Sequence, residues 1–265
     1  MKNHGSGQIE IYKIRNTSDL DFDIPEDFSF FQSYFPFYIR ETIEIGGDAY
    51  LSRTSDGIVS GLFIYDDDEK TGAIFTRSRQ AFDRFYQLKP FNYVFSEMMT
   101  EHESEVYDIY TLDLKSNDVN HKFAHEMSLS DEVDVDQLEQ FMVSTHPGIN
   151  KRWVKVALDE GEKCFMVRLN GEIAGLGWLS IVSGAGRLHS LFVRPQFRRM
   201  GIGEDILFAR LIWLKAKHAR SAFSEISRES PWSSRIAIKG GMSASGQIFQ
   251  YFRKDPKEKM RMSRW

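Results

Sequence analysis

Apolar residues recur at helical spacing over 204–216, where Ile206, Leu207, Ala209, Leu211, Ile212 and Leu214 form one broad stripe. An apolar stretch at 188–193 precedes them and reads as a strand; residues 193–203, VRPQFRRMGIG, join the two. The order is strand, glycine-bearing turn, helix. Upstream, 164–169 and 172–181 flank Asn170 and Gly171, the pattern of a hairpin. Downstream, a short strand is expected at 222–226, a helix from Pro231 to Lys239, and a last strand at 247–252. Before the hairpin, an acidic helix start at Asp131 leads into Val135, Leu138, Phe141 and Met142, spaced as one buried face, and a second helix is expected over 150–158.

The first half repeats the rhythm. Strands are expected at 49–53 and 58–65 around the turn residues Thr54, Ser55, Asp56 and Gly57; the acidic run 66–70 then turns the chain into 72–76. A helix over 80–87 and an extended segment at 92–96 follow. The aromatics Phe28, Phe30, Phe31, Tyr34, Phe35, Phe37 and Tyr38 are spaced as one packed face, with an aromatic pocket as the sharper reading. Residues 101–105 and 115–121 are polar and suit a linker or crossover.

Composition then narrows the picture. At 265 residues the prior is one or two domains, and nine of ten tyrosines precede residue 111 while all five tryptophans follow residue 152. Two domains are expected, 1–118 and 119–265. Apolar content of 42% supports proper cores, and a net charge of -4 gives no global positive field to draw the chain to nucleic acid. The single cysteine, Cys164, excludes an intramolecular disulfide. No apolar run approaches the ~20 residues that span a bilayer, and MKNHGSGQIE lacks the apolar core of a signal peptide. A soluble cytoplasmic protein without membrane partners is expected. The last thirteen residues carry six basic and two acidic side chains and read as a solvated tail.

The chemistry concentrates in the glycine turn. A helix opening on Gly201 and Gly203 presents unbonded backbone N–H groups to an anion, the missing side chains allow close approach, and the helix dipole adds attraction. Arg198 and Arg199 can neutralise phosphate oxygens. Arg198-x-x-Gly201-x-Gly203 resembles the R/Q-x-x-G-x-G/A signature of the GCN5-related N-acetyltransferases (GNAT). The surrounding order of elements is similar to that family's core over residues 125–252. The resemblance implies an α/β GNAT fold in the C-terminal half, and the repeated rhythm suggests a degenerate GNAT-like N-terminal half. It implies binding of acetyl-coenzyme A, with Arg198, Arg199, Met200, Gly201, Ile202 and Gly203 on the pyrophosphate and main-chain groups of Leu191, Phe192 and Val193 along the pantetheine arm. A Rossmann site would add a third glycine, and here Glu204, Asp205 and Ile206 follow Gly203 instead.

The implied activity is acetyl transfer to a primary amine, on a small molecule or on a protein N-terminus or lysine. Acidic runs at 66–69 and 131–136 suit a cationic substrate or simply solvated loops. Many relatives place a glutamate where this chain has Arg187; His189, two residues on and facing the same way, has a reference pKa of ~6.5 that suits a general base. Glu225 on the next strand is the second candidate. The family's last helix often reads N-x-x-A-x-x-x-Y, which here aligns Ser230, Ser233 and Ala237, so the usual acid is missing. Ser233 or Ser234 can contact the cofactor's thiol or cap the helix. No metal is expected. A non-catalytic acyl-coenzyme A-binding module and a nucleotide-binding enzyme using the loop for another phosphate stand as the alternatives.

Overall fold

A computed structural model describes residues 9–15, 42–43, 46–102, 104–129, 134–145, 151–182 and 184–252. The chain divides into two units: Met1–Tyr107 with Gly246–Asp255, and Asp108–Ser245 with Pro256–Trp265. The division expected between residues 118 and 119 compares with one at Tyr107 and Asp108, and the end of the last strand returns to the first unit. The aromatic segment 28–38, the acidic helix start at 131–133 and the basic tail 253–265 lie outside the described residues.

In the first unit, β1 (Glu10–Ile14), β2 (Asp48–Arg53), β3 (Val59–Asp66) and β4 (Thr71–Thr76) pair in succession as antiparallel neighbours. Helix α1 (Arg79–Leu88) then crosses to β5 (Tyr93–Ser96), which pairs parallel to β4 along its whole length, Tyr93 to Ser96 against Thr71 to Ile74. The α1 N-terminus is closed by its own sequence: the Ser78 hydroxyl accepts the Ala81 N–H at 3.2 Å. Phe63, Tyr65, Phe82, Phe85 and Tyr251 fill the core.

The second unit has the strand order β6-β11-β10-β9-β8-β7. These are β6 (Ser104–Asp113, from Asp108 onward in this unit), β7 (Met127–Leu129), β8 (Lys163–Leu169), β9 (Glu172–Val182), β10 (Ala185–Val193) and β11 (Ser221–Ser227). The helices are α2 (Val135–Thr145), α3 (Lys151–Asp159), α4 (Ile202–Ala216) and α5 (Pro231–Lys239), and β12 (Ser243–Phe252) ends the described chain. Alternation along the hairpin β8–β9 sends residues to two cores. Phe165, Val167, Ala174 and Leu179 join α4 and α5 on one face, while Cys164, Met166, Leu176 and Trp178 join α2 and α3 on the other. Asn170 and Gly171 make the hairpin turn with φ of 53° and 81°, both in the left-handed region that such turns require.

Every expected helix and strand among the described residues is present, with ends moved by at most four residues. Three strands escape the apolar pattern. β1 and β7 are short and largely half-buried or exposed, so they carry little alternation. Residues 104 and 105, expected in a linker, open β6, whose polar first half hides the buried Tyr110 and Leu112 at its end. No helix among the described residues is long and apolar enough to cross a membrane.

Candidate functional site

β10 and β11 run parallel, but their pairing stops at Arg187 and Phe223 although the strands continue to Val193 and Ser227. The parting coincides with a bulge. The register of β10 against β9 shifts between His189 and Phe192, and Ser190 adopts a left-handed φ of 49°. Beyond the bulge lie Leu191, Phe192 and Val193, all half-buried. Leu191 and Val193 pack on the α4 side and Phe192 on the α2 side, its ring edge-on to Phe141 at 5.9 Å. Side chains thus anchor both faces of the segment beside the parting.

Arg194 ties the strand end to β9 by its backbone N–H to Ala174 and its Nε to Ile173, both at 2.9 Å. A single 3-10 turn, Pro195–Phe197, follows. Arg199 and Gly201 then have φ of 66° and 87°. Left-handed residues at alternate positions are a pattern that can turn successive N–H groups toward one concavity, as in anion-binding nests, and here it falls at the start of α4. A β-carbon on Gly201 would meet nothing within 4 Å, so the loop is open at that position. Gly203 serves packing instead: a β-carbon there would come within 3.0 Å of Ile236 of α5. Arg198 directs its Nε to the Val193 carbonyl at 3.1 Å, so it shapes the loop in addition to lending it charge. Arg199 and Met200 are exposed and Ile202 is buried.

Ser230 and Ser233 sit at the start of α5, joined by the Ser233 N–H to Ser230 carbonyl bond at 3.0 Å. β11 and α5 follow the parting in the same sense as β10 and α4, so both helix starts lie at the same end of the parallel pair. Ala237, at the place of the usual tyrosine, is buried in the core with α4. Tyr251 is committed to the first unit, where its hydroxyl donates to the Met98 carbonyl at 2.6 Å and accepts the Thr100 N–H at 3.0 Å.

The two candidate bases lie on the α2 and α3 face. His189 is cross-strand from Trp178, a core residue of that face. Glu225 is held by Arg187, whose Nε is 3.2 Å and 3.3 Å from its two carboxylate oxygens. A carboxylate thus stands beside position 187, carried by β11 and ion-paired to Arg187. His189 faces a residue that sequence reasoning missed: its Nε2 is 3.3 Å from Oε2 of Glu162, in the turn between α3 and β8. Burial pushes the Glu162 carboxyl up, but His189, Arg187 and Ser180 outweigh it and hold the group below its ordinary value.

Two further polar groups support the loop from beneath. Arg210 of α4 is fully buried, with Nη1 donating to the carbonyls of Trp178 at 2.9 Å and His189 at 3.3 Å, so it braces the bulge. Burial lowers its pKa to about 10, which still leaves it charged at neutral pH. Gly177 makes room for it, since a β-carbon there would stand 3.0 Å from the guanidinium carbon. In the first turn of α4, buried Asp205 receives Nε2 of His121 at 2.6 Å, Nδ1 of His125 at 2.7 Å and the backbone N–H groups of Ala124 and His125. Burial raises that carboxyl and these bonds lower it by more, so the net shift is downward. The signal for Arg210 was present in the sequence as a charge in line with Ile206 and Leu214, at intervals of four.

Residues 122–230 match the model of the Acetyltransferase (GNAT) family. Among curated proteins none matches the chain in sequence. Solved structures match its fold. A tandem GNAT protein from the clavulanic acid biosynthesis pathway aligns over 94% of this chain and 99% of its own, with a TM-score of 0.57 and 10% identity. A GNAT-family acetyltransferase from Colwellia psychrerythraea aligns over 92% and 100%, with a TM-score of 0.56 and 12% identity. A GCN5-related N-acetyltransferase from Sphaerobacter thermophilus aligns over 78% and 81%, with a TM-score of 0.56 and 13% identity. The left-handed glycine at the head of α4, the parted parallel strands and these matches agree: the chain has the GNAT fold, and residues 122–230 match the acetyltransferase (GNAT) family.

Proposed function

We propose that the chain is an acetyl-coenzyme A-dependent N-acetyltransferase acting on a primary amine. The observation that carries this reading is the end of β10–β11 pairing at Arg187 and Phe223, followed by left-handed backbone at Arg199 and Gly201 at the head of α4. Backbone groups of Leu191, Phe192 and Val193 would pair with the pantetheine arm, and residues Arg198 to Gly203 would hold the pyrophosphate. Ser230 and Ser233 would border the thiol end. The fit is supported by the open space at the Gly201 β-carbon position.

When bound, acetyl-coenzyme A supplies an activated acetyl group as a thioester. The chain's residues then have to align the amine, exclude water and accept its proton. His189 is the proposed base. Glu225, bound to Arg187, orders the polar face beside it. The test is thiol release from acetyl-coenzyme A by the full chain with a panel of amino sugars, polyamines, amino acids and lysine peptides. Release that requires an amine supports the reading. Ala237, buried where relatives carry the acid, favours a second reading as a non-catalytic acyl-coenzyme A-binding module. Tight coenzyme A binding without thiol release for any amine selects it, and a preference for NAD or ATP over coenzyme A rejects both.

A further inference from the structure

Glu162 occupies an unusual place for a carboxylate. The end of α3 is a Schellman motif: Gly161 has φ of 84° and donates its N–H to Leu158 at 3.0 Å, and Glu162 donates its N–H to Ala157 at 2.9 Å. The residue after the glycine in this motif commonly makes an apolar contact back to the helix. Here it is a glutamate whose side chain is only 13% exposed. The motif fixes its backbone, so the carboxylate is delivered to one place. That place is the ring of His189.

Glu162 Oε2 and His189 Nε2 are both buried atoms, 3.3 Å apart. Two lone pairs at that separation, out of water, would repel, which favours a proton on one of the two atoms. Arg187 on β10, itself ion-paired to Glu225 on β11, and Ser180 on β9 also act on Glu162, and the charged Arg210 of α4 reaches the His189 carbonyl. Arg187 favours ionised Glu162, which puts that proton on the ring nitrogen. The other ring nitrogen, Nδ1, is 3.3 Å from the Ser190 hydroxyl. Ser190 is the left-handed residue at the point where β10 leaves β11, and backbone held in that region by a non-glycine residue clusters at functional sites.

We propose that Glu162 is a positioning residue that holds His189 as the Nε2–H tautomer, so that Nδ1, next to Ser190, is the atom that takes the acceptor's proton. The proposal rests on the transferase reading for its chemical consequence. In that step the amine nitrogen's lone pair bonds to the acetyl carbon and the carbon–sulfur bond breaks with its pair going to sulfur. The amine proton passes to Nδ1, directly or through the Ser190 hydroxyl. The imidazolium is stabilised by Glu162 until it returns the proton to the thiolate or to water. No other reactant is needed.

The tautomer can be read without knowing the acceptor. In full-length protein with 15N-labelled histidine, the signal that disappears in His189→Gln belongs to His189. The expected spectrum shows a pyrrole-type, protonated Nε2 and a pyridine-type Nδ1, and Glu162→Ala should give a mixture of tautomers. Glu162→Gln, which keeps an acceptor for Nε2–H, should retain the wild-type form and guards against loss of fold in the alanine variant. With the best amine of the panel, Glu162→Ala should lower kcat about 10²-fold, the order expected of a misplaced catalytic group, with KM for acetyl-coenzyme A unchanged. Adding it to His189→Gln should cost nothing further. A protonated Nδ1 in the wild type, or a ring indifferent to Glu162→Ala, overturns the proposal and leaves the transferase reading standing. Failure of every amine overturns the transferase reading, while the ring spectrum still decides the role of Glu162.

Discussion

Gly201 is the position at which the proposed phosphate site can be separated from the fold. At φ of 87° any side chain is strained, at a cost of roughly 1 to 2 kcal/mol, but nothing stands within 4 Å of the β-carbon to add a clash. Gly201→Gln and Gly201→Glu share that strain and nearly the same volume. They differ by one charge at the mouth of the loop. A carboxylate about 5 Å from a phosphate charge, at an effective dielectric of ~20, is repelled by about 3 kcal/mol, which is about 10² in Kd. Calorimetric titration of both variants with coenzyme A should therefore show the glutamate protein binding about two orders of magnitude more weakly than the glutamine protein, with equal thermal midpoints. Equal affinities in the two folded variants would refute a phosphate at this loop.

Three other outcomes follow from the geometry. Coenzyme A should bind with one site per chain: in the first unit β4 and β5 pair along all of β5 and the Ser78 hydroxyl already occupies the α1 N-terminus, and two equivalent sites in a titration would contradict this. His189→Gln should lower turnover by ~10² to 10⁴ with coenzyme A affinity retained; turnover within a few-fold of wild type would move the base to Glu225. Asp205, held below its ordinary 3.8 in the native state, contributes stability above that pH and loses the contribution as pH falls toward the native value. Asp205→Asn should lower stability at pH 7 and flatten the fall of stability below pH ~4; an unchanged acid limb in denaturant titrations would assign that limb to other carboxylates.

The sequence made the glycine loop legible because its chemistry is local. Strand, turn and helix lie within about thirty consecutive residues, and left-handed backbone demands glycine at position 201. The periodic helices α1, α4 and α5 were legible for the same reason. β6 was not, because its outward residues are polar or aromatic on both sides of a short buried end. The supporting side chains were hidden for a different reason. Asp205 meets His121 and His125 from more than 79 positions away, and Glu162 reaches His189 across two intervening strands of sequence. Such pairs are products of register, which apolar periodicity specifies only after the sheet order is known. Arg210 lay between: its place in an apolar stripe marks burial, but its carbonyl partners at the bulge depend on a register shift that no local pattern encodes.

Amide hydrogen exchange of the full chain, with and without saturating acetyl-coenzyme A, tests the central claim most directly because it needs no knowledge of the acceptor. Ligand in the parting of β10 and β11 should slow exchange at Leu191, Phe192 and Val193 and at the N–H groups of Gly201, Ile202 and Gly203, which head α4. The β4–α1 connection of the first unit should exchange as before. Protection confined to that connection, or protection absent from both 191–193 and 201–203 at saturation, would contradict the account.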